Sequence, residues 1–191
     1  MTQERMYLDR RLQDNEVGEY RPNEALIEAV ASRMLPSGRA LDLSNDNGID
    51  ALFLAQSGYA VALVGFYPGE LEIARRRVDE MQAKVQLYST EPTKMPFHPG
   101  EFDMVFDPRT YTSLKGEERD LFLAEIMRVL RPEGIFVAVV PSFKDSVRGC
   151  FTKQNARAAF EPPFTVMRVE ETSGWENGAT RSYYSIMMRR P

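Results

Sequence analysis

The sequence predicts an α/β fold: a three-layer α/β/α sandwich whose mainly parallel sheet carries a C-terminal antiparallel hairpin. Three observations predict it. Short apolar runs alternate with helical patterns from about residue 24 to 160. Several of those runs, such as Tyr59-Ala60-Val61-Ala62-Leu63-Val64, are continuously apolar, as strands buried on both faces are. After residue 160 the pattern changes to two alternating strands joined by a turn-rich segment, the mark of a hairpin.

The elements follow in order. Residues 1–23 are polar with scattered apolar and aromatic residues (Met6, Tyr7, Leu8, Tyr20) and read as an arm or lid. Asn23 is placed to cap a helix with apolar positions at 26, 27, 30 and 34, which Pro36 and Gly38 close. The first strand covers about 39–43. Five small or polar residues, Ser44-Asn45-Asp46-Asn47-Gly48, then lead into a helix to about 57 that Gly58 ends. A second strand (59–64) and the turn Gly65-Phe66-Tyr67-Pro68 precede a helix over about 69–82. Val85–Tyr88 is the third strand and Glu101–Asp107 the fourth, with a Pro-rich loop between them. A helix over about 117–130, with Leu121, Ile126, Val129 and Leu130 on one face, stops at Pro132 and Gly134. Ile135–Val140 is the fifth strand, 153–160 a helical stretch, and 164–169 with 181–188 the hairpin. This makes one domain, 1–191: an arm (1–23), βα units (24–160) and a C-terminal hairpin (161–191).

Composition narrows the function. With 43% hydrophobic and 27% charged residues the chain is an ordinary globular one, and its net charge of −4 leaves no basic footprint for nucleic acid. Arg75-Arg76-Arg77 reads as a solvated helix face. No apolar run is long enough for a membrane span, and the charged N-terminus has no signal-peptide core, so the expected location is the cytoplasm. A single cysteine, Cys150, excludes an intrachain disulfide. The only histidine, His98, lies in a loop, so a Ser-His-Asp set is ruled out. The Asn45–Gly48 run fails as a calcium loop, because Leu43 and Leu54 fall where acidic ligands are required; no metal is expected. A nicotinamide site needs a Gly-x-Gly-x-x-Gly turn and an acid after the second strand, and neither is present. In sheets of this kind ligands bind outside the carboxyl ends of the strands. Asp42 stands there, either as a ligand-binding acid or as a cap for the next helix.

Several segments together resemble the class I S-adenosylmethionine-dependent methyltransferases, over roughly residues 20–190. Leu41-Asp42-Leu43 before the loop closed by Gly48 is similar to that family's first motif. Pro68-Gly69-Glu70-Leu71-Glu72-Ile73-Ala74-Arg75 is similar to the helix after the second strand. Met95-Pro96-Phe97 and Phe102–Asp107 resemble the approach to the fourth strand. Ile126-Met127-Arg128-Val129-Leu130-Arg131-Pro132-Glu133-Gly134 resembles the family's Arg-Val-Leu-Arg-Pro-Gly-Gly pattern with one change, and Phe160-Glu161-Pro162-Pro163-Phe164 the approach to the hairpin. The resemblance is closest to the small soluble branch that includes tellurite-resistance and thiopurine methyltransferases.

The resemblance implies a Rossmann-like methyltransferase fold, S-adenosylmethionine as cofactor and a small-molecule methyl acceptor. It implies cofactor contacts from Asp42, Ser44, Asp46, Gly48, Gly65, Phe66, Tyr67, Glu91 and Asp107. Tyr20, Arg109 and Tyr111 shape the acceptor pocket, and no residue is singled out as a catalyst. The pattern departs from the family at three places. The first motif reads Asp42-x-Ser44-x-Asp46-x-Gly48 where the family has Asp-x-Gly-x-Gly-x-Gly, and Asp46 adds negative charge beside the cofactor's carboxylate. Gly65 stands where the family has the acid that takes the ribose hydroxyls, a charged hydrogen-bond pair worth ~1.5–3 kcal/mol. After Asp107 the chain continues Pro108-Arg109-Thr110-Tyr111, without the Asp-Arg-Gly and following histidines of the related branch. An alternative reading is therefore a pseudoenzyme of the same fold that has lost cofactor binding and serves as a binding or partner subunit. A homo-oligomer is compatible with either reading.

Overall fold

A computed structural model describes residues 21–43, 48–66, 70–145, 150–176 and 179–191. In chain order the elements are α1 (Glu24–Ala31), β1 (Arg39–Asp42), α2 (Ile49–Gln56), β2 (Ala60–Gly65), α3 (Glu70–Glu80), β3 (Val85–Ser89), β4 (Phe102–Asp107), α4 (Thr110–Ser113), α5 (Glu117–Val129), β5 (Leu130–Pro141), α6 (Lys153–Ala158), β6 (Thr165–Glu176) and β7 (Ala179–Arg189). The strands form one seven-stranded sheet in the order β3-β2-β1-β4-β5-β7-β6. β1 to β5 run parallel, and β7 lies antiparallel to both β5 and β6. The expected sandwich and hairpin are both present. No helix of the described residues is long and apolar enough to cross a membrane.

Alternation along the strands divides the core between two faces. Ala40, Leu63, Met104 and Phe106 pack with Leu26, Ala29, Leu54 and Ala74, under α1, α2 and α3. Leu41, Val64, Val105 and Phe136 pack with Phe122, Ile126, Ala156 and Phe160, under α5 and α6. Asn23 caps α1 as its position suggests, its side-chain oxygen accepting from the Ala25 amide at 3.0 Å. The Asn23 amide donates in turn to the buried Asp50 at 2.6 Å, which ties the start of α1 to the first turn of α2.

The structure corrects four element readings. β5 begins at Leu130, directly after α5, and not at Ile135. Glu133 takes a left-handed backbone (φ 63°), and the strand's opening residues bond to the C-terminal tail, Glu133 N to Arg190 O and Arg190 N to Gly134 O, both at 3.0 Å. A bulge opposite Phe102–Met104 absorbs the extra residues. On α5 the buried face is Phe122, Leu123, Ile126 and Val129, whereas Leu121 is 51% exposed. The short helix α4, Thr110–Ser113, was not anticipated. The hairpin strands run on until Glu176 pairs with Ala179, well beyond the alternating runs.

Candidate functional site

The parallel order reverses at the centre of the sheet. β1 connects through α2 to β2 on one side, while β4 lies on its other side, and the helices after β4 cover the opposite face. A crevice therefore opens at the carboxyl ends of β1 and β4. Asp42, the last residue of β1, is fully buried there. It pairs with Leu63 and Phe106, and alternation sets it on the same face as Ala40, beneath α1–α3. Ser44 and Asp46 lie outside the described residues, as do Tyr20 and Tyr67. Gly48 starts α2 in a left-handed conformation (φ 83°). A Cβ on it would sit 2.9 Å from Ala74 Cβ and 3.1 Å from Ala74 Cα, so the glycine lets α2 and α3 approach each other.

At the end of β2, a Cβ on Gly65 would meet Leu71 Cγ at 2.8 Å. Gly65 follows Leu63 on the α3 side of the sheet, and Leu71 already fills the space beside it. A Cβ there would face Leu71 on α3. Phe66 is half-buried and packs against the opposite core face. Glu91 follows β3 in a tight turn, closed by Lys94 N donating to Glu91 O at 3.2 Å and Thr90 Oγ1 donating to Lys94 O at 2.9 Å; Glu91 itself is exposed.

The end of β4 is organised by Asp107, which is fully buried. Its Oδ1 accepts from the amides of Arg109 (3.0 Å) and Thr110 (2.7 Å), and its Oδ2 from that of Tyr111 (2.8 Å). Burial pushes the carboxyl above its ordinary value, and the three N–H groups pull the other way without cancelling the shift. Asp107 is thus the anchor of α4, engaged by the backbone of the next turn. It binds the amide of Arg109, and the Arg109 side chain is exposed. The two residues expected to shape one mouth separate here: Tyr111 turns inward. Its hydroxyl donates to Ala159 O at 3.4 Å, its ring lies 4.4 Å from that of Phe160, and the Arg119 guanidinium covers it at 4.7 Å. Burial raises the Tyr111 phenol above its usual range.

The loop between β3 and β4 carries an arrangement that the sequence reading passed over. Glu125 and Arg128 on α5 form a two-point ion pair, with Arg128 Nε and Nη2 each 2.7 Å from a Glu125 oxygen. Both side chains also bind the loop backbone. The signal available was their three-residue spacing within the segment that ends in Leu130-Arg131-Pro132. His98 is exposed in this loop, and its amide donates to Glu101 at 2.6 Å. Among the described residues, the strand ends present the exposed Glu91 and Arg109 and the half-buried ring of Phe66.

Residues 41–138, just over half of the chain, match a family model described as a methyltransferase domain. An uncharacterised methyltransferase of Synechocystis sp. is 30% identical over 122 residues, 64% of this chain and 55% of the relative. A demethylmenaquinone methyltransferase of Thermus thermophilus is 31% identical over 115 residues, 59% of this chain and 50% of its own length. The chain thus spans about half the length of the curated relatives it matches. Among solved structures, the N-methyltransferase NodS of Bradyrhizobium japonicum, in complex with S-adenosylhomocysteine, superposes with a TM-score of 0.71 at 14% identity, covering 97% of each chain. That likeness concerns the fold alone. The matched segment runs from Leu41 in β1 to Ala138 in β5, and so takes in the carboxyl ends of β1, β2, β3 and β4. It singles out no tellurite-resistance or thiopurine branch.

Proposed function

Because the chain belongs to the class I S-adenosylmethionine-dependent methyltransferase family, we propose that it transfers a methyl group from S-adenosylmethionine to a small-molecule acceptor. The observation that carries this reading is the family match laid across the reversal point of the sheet. Bound there, the cofactor supplies an electrophilic methyl group on a sulfonium. The described residues fit its adenine end. The exposed carboxylate of Glu91 accepts from an exocyclic amine, and the half-buried Phe66 offers a ring face for stacking. The buried Asp42 ends β1 at the mouth of the crevice. The ribose finds no carboxylate at residue 65. Arg109 remains the exposed cation on the acceptor side, suited to a carboxylate or phosphate.

The acceptor class is a small molecule, in keeping with the name of the Thermus relative. The alternative of a pseudoenzyme finds no support in the family match. The test is incubation with S-adenosylmethionine labelled in its methyl group and a panel of small thiols, amines and phenols. Acceptor-dependent formation of S-adenosylhomocysteine is expected. If no acceptor is methylated and the cofactor does not bind, the proposal is overturned.

A further inference from the structure

We infer that Glu125 and Arg128 are positioning residues for recognition of the adenine ring: their ion pair holds the loop that carries Glu91 in its reading position before any ligand arrives. The inference rests on the proposed role of Glu91.

The loop runs from the end of β3 at Ser89 to the start of β4 at Phe102, with no ladder of its own beyond the bridge between Glu91 and Lys94. Its backbone must therefore find partners elsewhere. Glu125 Oε1 accepts from the Met95 amide at 2.6 Å. Arg128 Nη2 donates to Met95 O at 3.0 Å, and Nη1 to Phe97 O at 2.6 Å. One residue of the loop, Met95, is thus held at both its donor and its acceptor, and the next carbonyl but one is held as well. The Arg128 carbonyl also accepts from the Gly100 amide at 2.8 Å. Between the clasped atoms, the Phe97 ring packs edge-on against Tyr88 and Phe102, with centroids 4.8 Å away in each case.

Met95 directly follows Lys94, which closes the turn of Glu91. Fixing Met95 therefore fixes the far end of that turn, while β3 fixes the near end. The clasp is itself preorganised. Glu125 is 8% exposed, and its side chain is spanned by the planar fork of Arg128. Burial pushes the Glu125 carboxyl up, but Arg128 and the Met95 amide outweigh it and hold the group below its usual value, so it stays charged. A lysine at 128 would carry the same charge without reaching two carbonyls and a carboxylate at once. The clasp touches no ligand; it acts through Glu91.

Calorimetry with two probes tests this: S-adenosylhomocysteine and its 6-oxo analogue, S-inosylhomocysteine. The wild-type protein is expected to favour the adenosyl form, because Glu91 accepts from the 6-amino group. Glu91→Ala should reduce that preference about tenfold, the scale of one charge-assisted hydrogen bond. Arg128→Lys and Glu125→Gln should each reduce it several-fold while leaving the inosyl analogue's affinity nearly unchanged, which a general loss of fold would not do. If Glu91→Ala leaves the preference intact, the role of Glu91 fails. If Glu91→Ala removes it but Arg128→Lys and Glu125→Gln retain it, the positioning inference alone is overturned. Should the variants unfold, hydrogen exchange on the ligand-free wild-type protein decides. The Met95 amide should be protected well beyond its loop neighbours; exchange at the rate of an exposed amide would sink the inference.

Discussion

Replacing Gly48 with alanine separates two reasons for a glycine at the start of α2. If the glycine serves only the close approach of a ligand, the ligand-free protein should tolerate a methyl group. The structure gives it a second role. Its φ of 83° is a left-handed conformation, which costs an L-residue ~1–2 kcal/mol. The new methyl would stand 2.9 Å from Ala74 Cβ and 3.1 Å from Ala74 Cα. The second of these is backbone and cannot swing aside, so α2 and α3 must separate by a few tenths of an ångström, an overpacking cost of roughly 1–3 kcal/mol. Lower entropy of the unfolded alanine chain offsets about 0.4–1 kcal/mol. The net expectation is a loss of about 1.5–4 kcal/mol without ligand, equivalent to a fall in Tm of roughly 4–12 °C for a chain of this size. Urea unfolding followed by circular dichroism, with an unchanged m-value, reads it. Adding Ala74→Gly to Gly48→Ala should recover only the share of the packing cost set by the Ala74 Cβ, less about 0.5–1 kcal/mol for a glycine inside α3, and none of the backbone part. Stability of the single variant within ~0.5 kcal/mol of wild type would refute the reasoning.

Gly65→Asp should fail to supply a ribose-binding acid. Its side chain meets Leu71, so stability should fall by ~1–3 kcal/mol with no gain in S-adenosylhomocysteine affinity, and Leu71→Ala added to it should relieve the strain. A gain in affinity by Gly65→Asp alone would contradict that geometry. Two of the buried carboxylates, Asp107 and Glu125, should show opposite pH signatures. Asp107 is raised above its unfolded value, so its contribution is present at acid pH and is lost as pH rises through the raised value. The stability advantage of wild type over Asp107→Asn should therefore shrink with rising pH. Glu125 is lowered, so its contribution is present above the ordinary range and lost as pH falls through the lowered value. The advantage over Glu125→Gln should shrink on acidification, and denaturant titrations from about pH 3 to 8 distinguish the two trends.

The layering was legible because each unit punctuates itself. Asn23 caps α1, Gly58 ends α2, and the continuous apolar run of β2 marks a strand buried on both faces. What escaped depends on partners distant in the chain. Thr110-Tyr111-Thr112-Ser113 has poor helix propensity, and forms one turn because Asp107 takes two of its amides and that of the preceding Arg109. The opening residues of β5 look like a stop signal, and become strand because the tail at Arg190 pairs with them. Glu125 belongs to the solvent face of an isolated helix, and is buried because the Met95–Phe97 loop lies over it. The candidate site follows the same rule. The strand ends could be located from the pattern, but the outward turn of Arg109, the inward turn of Tyr111 and the direction of residue 65 follow from what packs beside them.

Titration calorimetry of the ligand-free protein with S-adenosylhomocysteine tests the central claim most directly. The account predicts saturable one-to-one binding that Glu91→Ala weakens about tenfold, since it removes one charge-assisted hydrogen bond at the adenine end. Absence of heat at millimolar ligand, confirmed by an unshifted Tm, would contradict it.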